Sequence, residues 1–319
     1  MLMQNGLSGE TARQFAEQAV QRGEITRGSN TGALNLPAST RQRAQEEALS
    51  LSSAVERGRV RVEDLINGTT PPLQTLYQSV YPRSLSEARL ANVEFLTEFP
   101  VATLAFGFTR GGGTPGESRL VVFRERGLLR VYGYLAKTEA LLIQLDPLAV
   151  HRWLVALGFS IQNAANEREA RISILQSVQI PMPMEQHPQN LGAAILTLIH
   201  SYSHRVIRSL ASIAGVEKDA IAEYLLPHHL AFIIDASSRG DFVLGGLQAV
   251  FETALNRLFS DVAMGDFRCP LDPGCRSGGG ACMACLHLGE PSCRWFNRFL
   301  DRSTLFGVHG FLRREAPRA

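Results

Sequence analysis

Lysine is almost missing from this 319-residue chain: of 32 basic side chains only Lys137 and Lys218 are lysines. A phosphate-cradling P-loop needs glycines before a Lys-Ser/Thr pair, because their bare backbone closes on the phosphates while the lysine reaches them. Lys137-Thr138 offers the final pair, but Ala136 and Val131 stand where the glycines belong. That excludes an NTPase of this type. Long apolar runs are missing too. The longest, such as Leu191 to Ile199 and Leu225 to Ile234, fall far short of the roughly 20 residues that span a bilayer. The N-terminus lacks a basic stretch leading into an apolar one, so no secretory signal is expected and the cytoplasm is the default location, with no membrane role. Finally, the first 268 residues contain no cysteine.

What remains is a chain with 45% hydrophobic residues and a net charge of +2, long enough to bury a core and sized for two domains. The near-neutral balance does not by itself point to nucleic acid. Nearly all its cations are arginines, whose planar forks suit phosphates and carboxylates, although genome composition is the simpler explanation.

Residues 1–70 are polar and read as a partly helical or disordered segment, with weak helical patches at Thr11–Arg22 and Arg41–Arg57. From 71 to 188 the texture predicts a mixed α/β domain. Val93–Phe99, Ala102–Thr109, Arg119–Arg124 and Leu128–Leu135 read as strands, with Gly111–Gly116 as a hairpin loop. Pro147–Leu157 reads as a helix that buries Trp153 and ends at Gly158. Proline-interrupted Ile180–Pro188 reads as a linker to a helix-rich domain over 189–319. There, Gly192–Ala214 has sustained helical periodicity with Gly215 as its stop. Asp219–Leu226 is expected to be a short helix, His229–Ala236 a buried strand, Leu247–Phe259 an amphipathic helix, and Pro291 to Phe306 a last helix. The expected fold is therefore mixed α+β: a sheet-containing domain followed by a helix-rich domain with a four-cysteine zinc site.

The five cysteines lie between 269 and 293 in the pattern Cys-x5-Cys-x6-Cys-x2-Cys-x7-Cys. In Cys282-Met283-Ala284-Cys285 the two-residue spacer turns both thiolates to one side, which is half of a tetrahedral zinc site. An iron–sulfur cluster or a redox pair would use the same residues. Four ligands are wanted and five cysteines are offered. The expected Zn2+ set is Cys275, Cys282, Cys285 and Cys293, with Cys269 as the alternate and its replacement by serine the milder one. Four thiolates leave no open position, so the site is structural rather than catalytic.

Three further features carry a functional and a plain reading. His200 and His204 share a helix face at i and i+4, as in zinc metalloproteases, but Ser201 replaces the catalytic glutamate. A hydrogen-bonding pair at a helix interface is the simpler reading, and a metal-dependent hydrolase completed by a carboxylate such as Glu223 is the alternative. Gly245-Gly246 before a helix would suit a phosphate or, more simply, close packing. Arg294, Arg298 and Arg302, four residues apart, would form a helical ridge for DNA or an acidic partner, or a solvated face.

These residues carry a resemblance. A His-Ser-x-Ser-His helix, a strand leading to Leu-Gly-Gly-Leu, Cys-x2-Cys-x7-Cys and Phe296-Asn297-Arg298-Phe299-Leu300-Asp301-Arg302 resemble the MrfA-type zinc-binding domain of certain superfamily 2 DNA helicases and free-standing proteins. Leu96-Thr97-Glu98-Phe99-Pro100, Phe106-Gly107-Phe108-Thr109-Arg110 and Lys137-Thr138-Glu139-Ala140 through Leu145-Asp146 are similar to the DrmB subunits of the DISARM antiphage system. Together they span roughly residues 75–307. The resemblance implies a non-catalytic partner that joins a separately encoded helicase on DNA, in antiphage defence or DNA repair. A purely structural zinc scaffold for protein assembly is the remaining reading.

Overall fold

The computed structural model describes residues 36–319 except 68, 112–117, 184, 186–187, 237–244, 265–267, 290–291 and 314–319. The helical patch expected at Thr11–Arg22 lies outside these residues, as does most of the glycine-rich hairpin loop. The architecture is mixed α/β, as expected. In chain order, helix α1 (Ala38–Glu56) leads to strand β1 (Arg59–Arg61). A helical stretch follows, with α2 (Pro71–Thr75), one wider turn at Leu76–Val80, and α3 (Tyr81–Glu87). Two long strands come next, β2 (Leu90–Ala105) and β7 (Tyr132–Leu145). Between them lie the small hairpins of β3 (Gly107–Gly111) with β4 (Ser118–Val122), and of β5 (Arg124–Glu125) with β6 (Leu128–Leu129).

Helices α4 (Pro147–Ala156), α5 (Glu167–Ser177) and α6 (Leu191–Ala214) precede strands β8 (Ile221–Leu226) and β9 (Ala231–Ala236). The described chain ends with α7 (Gly246–Thr253), α8 (Leu255–Ala263), the single turns α9 (Gly274–Ser277) and α10 (Ser303–Phe306), and irregular backbone around them.

One antiparallel sheet runs in the order β1-β2-β7-β9-β8. Both faces are covered, which explains why its strands read as apolar runs instead of alternating. Leu141, Ile143, Phe232 and Ile234 face the main core with α6, whereas Ala140, Leu142, Ala231 and Ile233 face a smaller one closed by Ala54 and Leu51 of α1. The sheet therefore takes β1 from the polar N-terminal stretch and β8 and β9 from the expected C-terminal domain. The boundaries expected at 70/71 and 188/189 do not divide the fold, and Pro37–Ala319 is one compact unit. Helix α1 is tied down as well: His228 Nδ1 meets Glu47 Oε1 at 2.5 Å, and Arg43 donates to the Ile180 carbonyl at 2.9 Å.

Local chemistry sets most boundaries. Asp146 accepts from the Leu148 and Ala149 amides at 2.8 and 3.2 Å, Pro147 opens α4, and left-handed Gly158 follows it. Asn190 caps α6 through the Ala193 amide at 2.8 Å, and Gly215 (φ 68°) ends it. Two expectations fail here. Asp219–Leu226 is mostly strand β8, because the turn at Pro227–His229 folds it back on β9. The expected helix Leu247–Phe259 is broken at Ala254, where tyrosines of the preceding helical stretch take the freed backbone groups. Tyr77 donates to the Glu252 carbonyl at 2.9 Å, and the Leu255 amide reaches Tyr81 Oη at 3.4 Å.

Helix α6 sits so close to the segment before it that a Cβ on Gly192 would lie 1.8 Å from the Gln179 carbonyl oxygen and 2.3 Å from its carbon. Backbone on both sides leaves no flexible side chain to yield. Gly192→Ala is therefore expected to lower stability by about 1–3 kcal/mol in urea denaturation, even though alanine is the better helix former.

Candidate metal centres

Past α8 the chain has few regular elements, and its geometry is set by two groups of sulfur, nitrogen and carboxylate donors. In the first, Cys269 precedes a turn, Cys275 lies on α9, and Cys282 and Cys285 occupy a tight turn in which the Cys282 carbonyl accepts from the Cys285, Leu286 and His287 amides at 3.0 Å. The sulfurs stand 3.5 Å (Cys269–Cys282), 3.6 Å (Cys275–Cys285) and 3.7 Å (Cys282–Cys285) apart. Disulfide sulfurs would sit about 2.05 Å apart, and all five cysteines are free. Sulfurs each about 2.3 Å from one tetrahedral ion would be separated by about 3.8 Å. The four cysteines therefore fit a bound metal ion.

Backbone amides point at two of these sulfurs: Cys282 N–H to Cys285 Sγ at 3.2 Å and Leu271 N–H to Cys269 Sγ at 3.4 Å. Burial works against ionising Cys282, yet hydrogen bonds with Cys275 and Cys269 draw its thiol down to about 7, while burial pushes Cys275 up. Gly280 (φ 76°) lets the loop close, since a Cβ there would strike Asp301 at 2.4 Å.

This set corrects the sequence expectation, because Cys269 is the fourth member and Cys293 is elsewhere. After Cys285 the chain runs to the edge of the sheet, where the Glu223 amide donates to the Ser292 carbonyl at 3.1 Å. That contact carries the next residue, Cys293, to α6.

There Cys293 joins His200, His204 and Glu223. One donor atom from each lies within 4.8 Å of all the others. His200 Nε2 stands 2.9 Å from Glu223 Oε1 and 3.3 Å from Cys293 Sγ, and His204 Nε2 stands 3.1 Å from Glu223 Oε1. Helical i, i+4 spacing aims both imidazoles off one face of α6, and β8 turns Glu223 toward them. The four residues are 0%, 0%, 1% and 4% exposed. Burial opposes protonation of His204, but the Glu223 carboxylate outweighs it and raises the imidazole to about 10. Burial likewise opposes ionisation of Glu223, yet the two imidazoles hold it below the ordinary carboxylate range.

The expected arginine ridge does not form. Phe296, Asn297 and Phe299 adopt left-handed backbone (φ 55°, 53° and 57°), so Pro291 to Phe306 is not one helix. Asn297 earns that conformation by clamping Leu288, accepting from its amide at 2.9 Å and donating to its carbonyl at 2.8 Å. Arg294 is exposed and lies 5.8 Å from the Tyr224 ring centroid. Arg298 donates to the Glu185 carbonyl at 2.7 Å, and Arg302 is buried in an ion pair with Asp272 beside the cysteines. At Gly245-Gly246 the α7 N-terminus is already held by Glu139, which accepts from the Leu247 and Gln248 amides at 3.0 and 3.3 Å. Close packing does not require the pair, since a Cβ on Gly246 would meet its nearest neighbour at 3.6 Å and Gly245 is set by its backbone (φ 122°).

One buried group escaped the sequence reading. Asp235 on β9 is 1% exposed, and neither carboxylate oxygen has a hydrogen-bond partner among the described residues. Burial raises it to about 6 from an ordinary 3.8, with Arg294 opposing. Because the folded value is the higher one, its contribution to stability is complete below pH 4 and is lost as pH rises through 6. Asp235→Asn is expected to leave stability unchanged near pH 4 and to raise it by about 1–3 kcal/mol at pH 7.5, read from urea midpoints at both pH values.

Fold and cysteine cluster together define a mixed α/β protein with a candidate metal centre. No protein-family model matches the chain, and no curated protein matches it. Among the described residues, no helix is long and apolar enough to cross a membrane.

Proposed function

We propose that this chain is a non-catalytic, zinc-stabilised accessory subunit that engages DNA together with a superfamily 2 helicase, in the cytoplasm and in defence against phage. The observation that carries the reading is a projecting arm. Beyond Val101 and Ala136, β2 and β7 leave the covered part of the sheet and run on as a ribbon tipped by the two small hairpins. Leu104, Leu128 and Leu135 are 65%, 74% and 64% exposed there, and Phe106, Phe108, Tyr132 and Tyr134 are exposed as well. So much uncovered apolar surface marks a contact site.

Its charge favours a nucleic-acid partner. Residues 104–135 hold five arginines and two glutamates, a surplus of three in a chain whose net charge is +2. Arginines interleaved with aromatic rings suit single strands, with phosphates on the guanidinium groups and bases on the rings. The helicase and the defence role come from the resemblance to DrmB, whose matching segments include Phe106 to Arg110 on this arm. Zinc is the ion best suited to four thiolates at these separations.

The test is co-expression with a candidate superfamily 2 helicase, followed by anisotropy titration of a labelled single-stranded oligonucleotide at several salt concentrations. A shared peak is expected, together with an affinity that falls with salt by a slope of about −0.7 per phosphate contacted. A monodisperse protein that binds neither helicase nor DNA would refute the proposal.

The hydrolase alternative loses support from the geometry of His200 and His204. A catalytic metal site keeps a position open to water, whereas here Cys293 supplies a fourth donor and the whole group is buried.

A further inference from the structure

We infer that His200, His204, Glu223 and Cys293 form a second, closed zinc site that joins α6, strand β8 and the C-terminal loop. Donor set, geometry, charge and surroundings each point to this site, independently of the helicase reading.

Two imidazoles, a carboxylate and a thiolate are donors that zinc accepts in tetrahedral arrangement. Nitrogen and oxygen donors about 2.0–2.1 Å from one ion would stand about 3.3 Å apart. The observed nitrogen–oxygen separations of 2.9 and 3.1 Å come within a few tenths of an ångström of that, and the 3.3 Å from His200 Nε2 to Cys293 Sγ does the same for the roughly 3.6 Å that a 2.3 Å zinc–sulfur bond implies.

Charge makes the same point. Without an ion, two imidazoles and a thiol surround one carboxylate in a space closed to water, and protonating both rings would bury excess positive charge. A divalent cation with one carboxylate, one thiolate and two neutral imidazoles sums to zero, and its binding expels the protons. Neutrality is what a fully buried group of this kind requires.

The surroundings fit ligands held in place. His204 Nδ1 donates to the Leu286 carbonyl at 2.8 Å, which fixes the tautomer that frees Nε2 for a metal. Ser203 donates to the second oxygen of Glu223, leaving Oε1 for the cluster. The Asn297 amide donates to Cys293 Sγ at 3.2 Å. His200 is the exception, its Nδ1 having no partner among the described residues, so it is the least firmly held of the four. Cys285 belongs to one cluster and the next cysteine in sequence, Cys293, to the other, so a single short stretch of chain links the two centres.

The experiment is elemental analysis of the purified full-length protein, kept in zinc-containing buffer free of chelator and then dialysed, with zinc-edge X-ray absorption on the same sample. Two zinc ions per chain are expected, sharing five sulfurs and three lighter donors. Cys293→Ala or His204→Ala should reduce the content to one and leave an all-sulfur spectrum. The Cys275→Ala, Cys285→Ala double variant should instead leave a spectrum dominated by nitrogen and oxygen. Should a variant fail to fold, the wild-type spectrum still decides. One zinc per chain with four sulfurs, or two that both Cys293→Ala and His204→Ala retain, would overturn the inference.

Discussion

Cys285→Ser, or removal of the ion with a strong chelator, is expected to unfold the region from Cys269 onward and to lower the melting temperature of the whole chain. The reason is that this lobe has almost no core of its own. Its buried cluster consists of Cys269, Cys275, Cys285, Leu286 and Leu300, so only two of the five members are ordinary apolar residues. A unit that small needs a staple, and structural zinc contributes about 10–16 kcal/mol in isolated zinc-binding peptides, as much as the stability of an entire domain. The damage should spread, because Phe299, Leu305, Phe311 and Leu312 belong to the main core and Trp153 Nε1 donates to the His309 carbonyl at 2.8 Å. Thermal melts with and without chelator, and proteolysis at Arg268 and Arg276, read the two effects. Cys269→Ser should be as severe as Cys285→Ser, contrary to the milder effect that sequence spacing suggests. A Cys275→Ser, Cys285→Ser protein that melts like wild type would show that the four thiols hold no structural ion.

That reversal shows where the chain's order along the sequence misleads. Local signals were legible: Asn190 and Gly215 bracket α6, Asp146 and Pro147 open α4, and the Cys-x2-Cys turn faces its sulfurs together as its spacing requires. His200 and His204 were legible as a pair for the same reason, since i and i+4 share a helix face. What escaped was decided by contacts distant in sequence. Asp219–Leu226 becomes a strand because β9 pairs with it, and that pairing turns Glu223 toward the histidines. Cys293 leaves the nearer cysteines because Ser292 is hydrogen-bonded to Glu223, a partner about 70 residues earlier. Spacing treats the five cysteines as one group, and only the sheet edge divides them. The domain boundary failed on the same ground: Ile180–Pro188 has the prolines of a linker, yet the strands on either side of it lie in one sheet, where Leu141 of β7 pairs with Ile234 of β9.

Excising the arm is the change expected to separate binding from folding most cleanly. Ala105 and Tyr132 are register partners at the end of the β2–β7 ribbon, so residues 106–131 can be replaced by Asn-Gly, a pair that closes a two-residue hairpin. Among its described residues the excised segment contributes none to either core, and metal content and melting temperature should therefore match wild type within error. If the arm is the nucleic-acid contact, all five arginines of 104–135 and three of its five aromatic rings leave with the deletion. With stacking worth about 1–3 kcal/mol per base, single-strand affinity should then fall at least a hundredfold. Anisotropy titration at low salt measures it. A milder companion, Arg110→Gln with Arg119→Gln and Arg126→Gln, removes the arm's arginines whose side chains make neither an ion pair nor a hydrogen bond among the described residues. It should flatten the salt dependence while leaving the apolar surface intact. Helicase capture by this triple variant would place the helicase on the arm's apolar face, and loss of both would place helicase and DNA on the same cationic surface. An arm-less protein that still binds single strands with wild-type affinity and salt slope would move the DNA contact to the body of the molecule, where exposed Arg294 lies over Tyr224 at the sheet's outer edge.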